Sequence, residues 1–226
     1  MVDSNRATGA EAPVALENTA RLTGLAEYLA LPEPRPSHLV YVHLSWGVTL
    51  GQIIDGTIVT GSHGGAGEFG HVSVDRMGLP CGCGNRGCLM NYVGLDALSR
   101  RFEAVLGPGQ DVRDALNRLD PDDHALAGIV AEAGEVVGDA LATVCNLLDP
   151  AAIVLGGELA HVGEPFMASM HRSLLRRALP LSTKQLELTS ARVWADPAAI
   201  TEAAIARLRA DAEVRRRLIE TLLQDL

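Results

Sequence analysis

His71, Cys81, Cys83 and Cys88 stand in the pattern GH-x9-C-G-C-G-N-R-G-C. Thiolates and imidazoles are preferred ligands of Zn²⁺, four of them complete its tetrahedral shell, and the intervening glycines leave the backbone free to wrap an ion. A shell filled by protein leaves no position for water, so a zinc ion held here is structural rather than catalytic. The competing explanation is a set of buried or redox-active thiols, with Cys81 and Cys83 close enough to oxidise. A glycine-rich loop offers little apolar mass in which to bury three cysteines, so ligation accounts better for the composition. Cys145, in the apolar run GDALATVCNLL, reads as a small core residue.

The elements that must hold this loop are legible from hydrophobic spacing. Residues 1–12 are small and polar and read as a disordered lead-in. ENTARLTGLAEYLAL (17–31) places Leu22, Leu25, Ala26 and Leu29 on one helical face, with Asn18 suited to start the helix and Pro32, Pro34 and Pro36 to stop it. Strands are predicted at 38–45 and 48–55, followed by a loop from Gly61 to Gly70 that contains five glycines. Helical patterns follow Asn91, first NYVGLDALSRRFEAVL, then DVRDALNRL, then a long run from Asp122 to Leu148. AAIVLGG (151–157) reads as a buried strand. A helix at 166–179, a strand at 185–194 and a last helix from about Pro197 to Leu223 complete an α/β order.

Composition narrows the functional classes. The 226 residues include 19 basic and 28 acidic side chains, for a formal charge of −9, and 47 % are hydrophobic. This is the balance of a globular chain able to bury a core. An acidic chain repels a phosphate backbone, and the densest basic groups (Arg100-Arg101, Arg176-Arg177, Arg215-Arg216-Arg217) lie in helical patterns whose solvated faces explain them. No apolar run reaches the ~18 residues of a membrane span, and MVDSNRATGAEAP lacks the features of a signal peptide. The expected compartment is the cytoplasm, with no membrane contact.

The run AGEFGHVSVDRMGLPCGCGNRGCL (66–89) resembles the signature of the ROK family, which comprises sugar kinases and sugar-responsive transcriptional repressors. The similarity extends from PVALENTARLTGLAEY (13–28) through AAIVLGGEL (151–159) to the last helix. It implies an actin-like, ribonuclease H-like α/β fold with the second lobe nearly complete and the first mostly missing, since no DxGGT-type phosphate loop occurs. On this reading residues 1–36 are the lead-in and the tail of the first lobe. Residues 37–196 are the second lobe, with the zinc loop at 71–88, and 197–226 form a helix expected to pack on the first lobe.

The resemblance also distributes roles. The four zinc ligands of the family fall on His71, Cys81, Cys83 and Cys88, and its sugar contacts on Asn18, Glu68 and His71. Without the resemblance, Glu68 would read as a solvated loop carboxylate. A metal-bound imidazole keeps its second nitrogen oriented toward a ligand oxygen. The Asp that serves family kinases as general base is replaced by Thr19, whose hydroxyl cannot accept a proton near neutral pH. The second phosphate loop reads SWGVTLG (45–51), with Trp46 and Leu50 bringing bulk where amides should approach phosphate. Gly156-Gly157 matches the adenosine-side motif and equally an ordinary turn. Met90 stands where the family usually has a sugar-binding Glu, and His63 reads as a surface residue.

No catalytic residue is therefore assigned. The expected function is the kinase-like, effector-sensing portion of a ROK-type regulator that binds a sugar or sugar derivative, with structural Zn²⁺ and a homodimeric state. Contact with DNA would be made only through an N-terminal domain absent from this chain. The alternatives are an ATP-dependent ROK sugar kinase and a zinc-stabilised interaction module without a ligand.

Overall fold

HLVYVHL has no polar face, so a strand made from it must be covered on both sides. The computed structural model, which describes residues 16–120, 122–210, 216 and 220, shows this arrangement. Strand β1 (His38–Leu44) is central in a mixed sheet, with Leu39, Val40, Tyr41, Val42 and Leu44 all at 0 % exposure. β2 (Val48–Ile54) pairs antiparallel on one side of it and β3 (Thr57–Ile58) continues that edge. β4 (Ala152–Gly156) and β5 (Glu187–Ser190) run parallel on the other side, giving the order β3-β2-β1-β4-β5 among the described residues.

Alternation along β1 sends its side chains into two cores. Val40, Val42 and Leu44 enter the larger core with α2 (Met90–Val93), α3 (Leu95–Leu106), α4 (Val112–Asn117), α5 (His124–Leu148) and α6 (Glu164–Arg177). Leu39 and Tyr41 enter the smaller one, beneath α1 (Thr19–Ala30) and α8 (Pro197–Ala210). A short helix, α7 (Pro180–Thr183), joins α6 to β5. Cys145 is fully buried in the larger core, where burial first of all pushes its thiol up to about 11.

Three expectations are corrected. The strand predicted at 185–194 pairs only over Glu187–Ser190. Ala191 still donates to the Leu155 carbonyl, but the next two amides, Arg192 and Val193, donate to the Glu27 carboxylate instead of to a strand. The strand predicted to reach 55 turns at Asp55-Gly56, both at positive φ, which is the two-residue hairpin geometry favoured by Asp-Gly. The helical pattern after Asn91 is broken at Gly94, whose extended backbone separates α2 from α3. The expected lead-in at 1–12 lies outside the described residues. So does the last helix beyond Ala210, apart from residues 216 and 220, both helical.

Helices α5 and α6 approach closely through two glycines. A Cβ at Gly134 would stand 2.4 Å from the Phe166 carbonyl oxygen, and one at Gly138 would stand 2.2 Å from that of Met170. Both obstacles are backbone, which a side-chain rotation cannot relieve. Gly128, on the same helix, faces open space. The pair predicts opposite signs: Gly138→Ala lowers the unfolding free energy by about 2 kcal/mol or more through overpacking. Gly128→Ala raises it by up to about 1 kcal/mol through helix propensity. Urea unfolding of the two variants beside the parent checks both values.

Candidate metal centre and ligand loop

The loop after β3 is laid against β2 by close backbone contact. Leu50 donates its amide to the Gly67 carbonyl at 2.8 Å, and a Cβ on Gly67, at φ +95°, would fall 1.8 Å from the Leu50 oxygen. Only glycine fits there. The buried Phe69 ring then anchors a 3₁₀ turn (Phe69–His71), leaving Glu68 exposed at its start. His71 closes the turn, with its amide donating to the Glu68 carbonyl.

From there the chain forms a small antiparallel lattice in which Val74 donates to Gly87, Leu89 to Val72, and Gly87 to Leu79. This lattice brings His71, Cys81, Cys83 and Cys88 together, with one ligand atom from each within 4.8 Å of the others. Cys81 Sγ lies 3.7 Å from His71 Nδ1, and Cys83 Sγ lies 3.6 Å from Cys88 Sγ. A tetrahedral shell with metal–sulfur bonds of about 2.3 Å has sulfur–sulfur edges of about 3.8 Å. The cluster therefore has the dimensions to hold a metal ion, and the four residues singled out by spacing are brought together.

The thiols differ electrostatically. Burial, and then its two neighbouring thiols, pushes Cys88 up to about 12. The Cys81 thiol is held down to about 7, chiefly by the Cys83 backbone amide and then by the surrounding Cys and His side chains, against an opposing contribution from burial. A divalent cation reverses the mutual opposition of three thiolates, because each then faces positive charge at bonding distance.

Asn18 caps α1, accepting the Ala20 amide at 2.8 Å, and Thr19 is the first residue of the helix. Two buried charges on the same helix escaped the sequence reading. Arg21 pairs with Glu17 at 2.6 Å and reaches the carbonyls of Gly64 and Ala66 at 3.0 and 2.9 Å. Glu27 accepts the amides of Arg192 and Val193 at 3.0 and 2.7 Å. The spacing of Glu17 and Arg21, four apart at a helix start, was the available signal for the first.

The C-terminal ends of parallel strands β1 and β4 carry a second group of residues. Trp46, 44 % exposed, lies under the Arg113 guanidinium at 5.7 Å, and Arg113 pairs with Glu158 at 2.7 Å. Burial opposes ionisation of Glu158, but hydrogen bonds from Ser45 and the backbone, with the Arg113 charge, outweigh it and hold the carboxyl below its ordinary range. Gly157 has no room for a Cβ, which would stand 2.3 Å from the Leu44 oxygen. Behind it His161 stacks on Trp194 at 5.5 Å, and Tyr41 bonds His43 at 3.1 Å. Burial lowers the His43 pKa, with Glu158 opposing. Met90 is half-buried against the larger core and His63 is exposed.

Among the described residues no helix is long and apolar enough to cross a membrane. The chain is similar to the xylose repressor of Bacillus subtilis, with 27 % identity over 165 residues, or 73 % of this chain and 43 % of the repressor. Among solved structures it resembles the ROK hexokinase of Thermus thermophilus, with a TM-score of 0.74 and 29 % identity, covering 88 % of this chain and 66 % of that one. It also resembles a ROK transcriptional regulator described as a homologue of the E. coli MLC protein, with a TM-score of 0.73 and 26 % identity, covering 88 % and 54 %. The chain spans about half the length of the curated relatives it matches. The ROK family model matches residues 4–208, and with an actin-like α/β fold shared with both kinases and regulators, the chain belongs to the ROK family.

Proposed function

We propose that this chain is the effector-sensing portion of a ROK-type transcriptional regulator, binding a sugar or sugar derivative without phosphorylating it. The observation that carries the reading is an asymmetry. The four-ligand cluster and the Glu68 turn are built and held, whereas Thr19 occupies the base position and the Trp46–Arg113–Glu158 group covers the strand ends where a phosphate loop would need open backbone. Its relatives include kinases as well as repressors, so the assignment rests on this asymmetry.

On this proposal Asn18, Glu68 and the outward nitrogen of His71 contact the sugar hydroxyls, and the cluster holds Zn²⁺ as a structural ion. Zinc fits a three-sulfur, one-nitrogen set of these dimensions, and its contribution is to fix the imidazole. Residues 37–196 would act as the second lobe of a two-lobed cytoplasmic homodimer.

Titration calorimetry with D-xylose, D-glucose and N-acetyl-D-mannosamine tests the sensing role. One of them is expected to bind, and Glu68→Gln to weaken it about 10–100-fold, the worth of hydrogen bonds to a charged acceptor. A coupled assay should detect no ATP-dependent phosphorylation of the same sugars; turnover would overturn the regulator reading in favour of the kinase.

For the metal, protein purified without chelator should carry one equivalent of zinc, and Cys88→Ser should lose it. In the metal-free protein the Cys88 thiol stays protonated through the neutral range, so zinc must displace at least that proton. Zinc affinity should therefore fall as the pH is lowered from 8 to 6. Competition with a chromogenic chelator measures it, and a flat profile would count against thiolate ligation.

A further inference from the structure

We infer that Arg21 is the positioning residue of the sugar-binding loop, the side-chain anchor that precedes Glu68 as His71 follows it, on either side of the Leu50–Gly67 backbone bond; the inference rests on the effector-binding reading above. One anchor lies three residues after Glu68, at His71, a ligand of the candidate metal cluster. The other lies two residues before it, at Ala66, and is made by a side chain more than forty positions away. Arg21 is buried, at 6 % exposure. Its Nη1 donates to both the Gly64 and the Ala66 carbonyl, and its Nε donates to Glu17 Oε1.

Without this fork, little else keeps residues 61–66 in place. Gly61, Gly64 and Gly67 all adopt positive φ, and Gly64 and Gly65 touch nothing that would stop a side chain from being added. The remaining backbone bonds are Ala66 to the Thr60 carbonyl at 3.1 Å, Gly64 to Gly61 at 3.4 Å, and Leu50 and Phe69 to Gly67 at 2.8 and 2.7 Å. The first two lie within the segment itself, so the fork ties its tip to the rest of the fold. A glycine-rich segment loses much conformational entropy on ordering, and a ligand that had to order it would bind more weakly by that amount.

Arginine is required by geometry as well as charge. Its planar fork reaches two carbonyls and a carboxylate at once, while the ammonium of lysine is a point charge on a flexible stem. Glu17 also faces Arg207 of α8 at 3.8 Å, so the same ion group joins the loop to the C-terminal helix. The buried pair costs desolvation that only its full set of partners offsets, which fits a role in positioning rather than in stability.

The test uses Arg21→Lys and Arg21→Met in the zinc-loaded chain. Arg21→Lys keeps the charge beside Glu17 and should keep zinc content near that of the parent and a melting temperature above that of Arg21→Met. Even so, the Gly64 and Ala66 amides, the donors of the 61–67 segment, should exchange with deuterium at least tenfold faster, and affinity for whichever of D-xylose, D-glucose or N-acetyl-D-mannosamine the parent binds should fall at least tenfold. Arg21→Met should show the same loop exchange with a lower melting temperature. Parent-like exchange at Gly64 and Ala66 in Arg21→Lys overturns the positioning role, as does parent-like sugar affinity. If the parent binds none of the three sugars, the effector reading fails, and the exchange measurement alone still decides whether Arg21 orders the loop.

Discussion

A central strand with no polar face imposes the plan of the molecule. Because β1 buries Leu39 and Tyr41 on one side and Val40, Val42 and Leu44 on the other, it demands two helical layers. The lower layer can be thin because glycines let it lie close. Gly24 of α1 rests on Tyr41 and Ile53, and Gly51 of β2 leaves room for the backbone at Arg21. That proximity brings the start of α1 within reach of the glycine loop. The Arg21 fork follows from how tightly α1 is seated on the sheet, whereas the Asn18 cap is local to the helix start.

The parts of the fold that repeat regularly were legible in the sequence. Strand β1, the Asn18-capped helix and the long α5 follow from spacing, and the metal cluster from four residues whose chemistry leaves few other uses. Where local pattern failed, a distant group had intervened. QLELTSARVW alternates well enough for a ten-residue strand, but Glu27, far back in the chain, takes the amides that would have continued it. The roles of Arg21 and Arg113 are similarly non-local, since nothing beside either residue names the carbonyls or the indole it meets. The Asp55-Gly56 turn is different: its signal was local and belonged to the hairpin.

The Glu68 turn and the strand-end group are built from different side chains. Supports of the Glu68 turn come from α1, from the Leu50 backbone and from the metal cluster, while the strand-end group is built from Trp46, Arg113 and Glu158. Among the described residues the two sets share no hydrogen bond or ion pair. Substitutions in the strand-end group therefore leave the hydrogen bonds that hold the Glu68 turn in place.

The chain has two tryptophans, and both stand at the sheet's strand ends, one against a guanidinium and the other against an imidazole. Cations and imidazolium groups alter indole emission. The molecule thus carries a pair of native optical reporters, Trp46 facing solvent and Trp194 half-buried against His161, with no other indole to blur their signal. Movement of α4, which bears Arg113, would register in the first, and movement of the segment after β5 in the second.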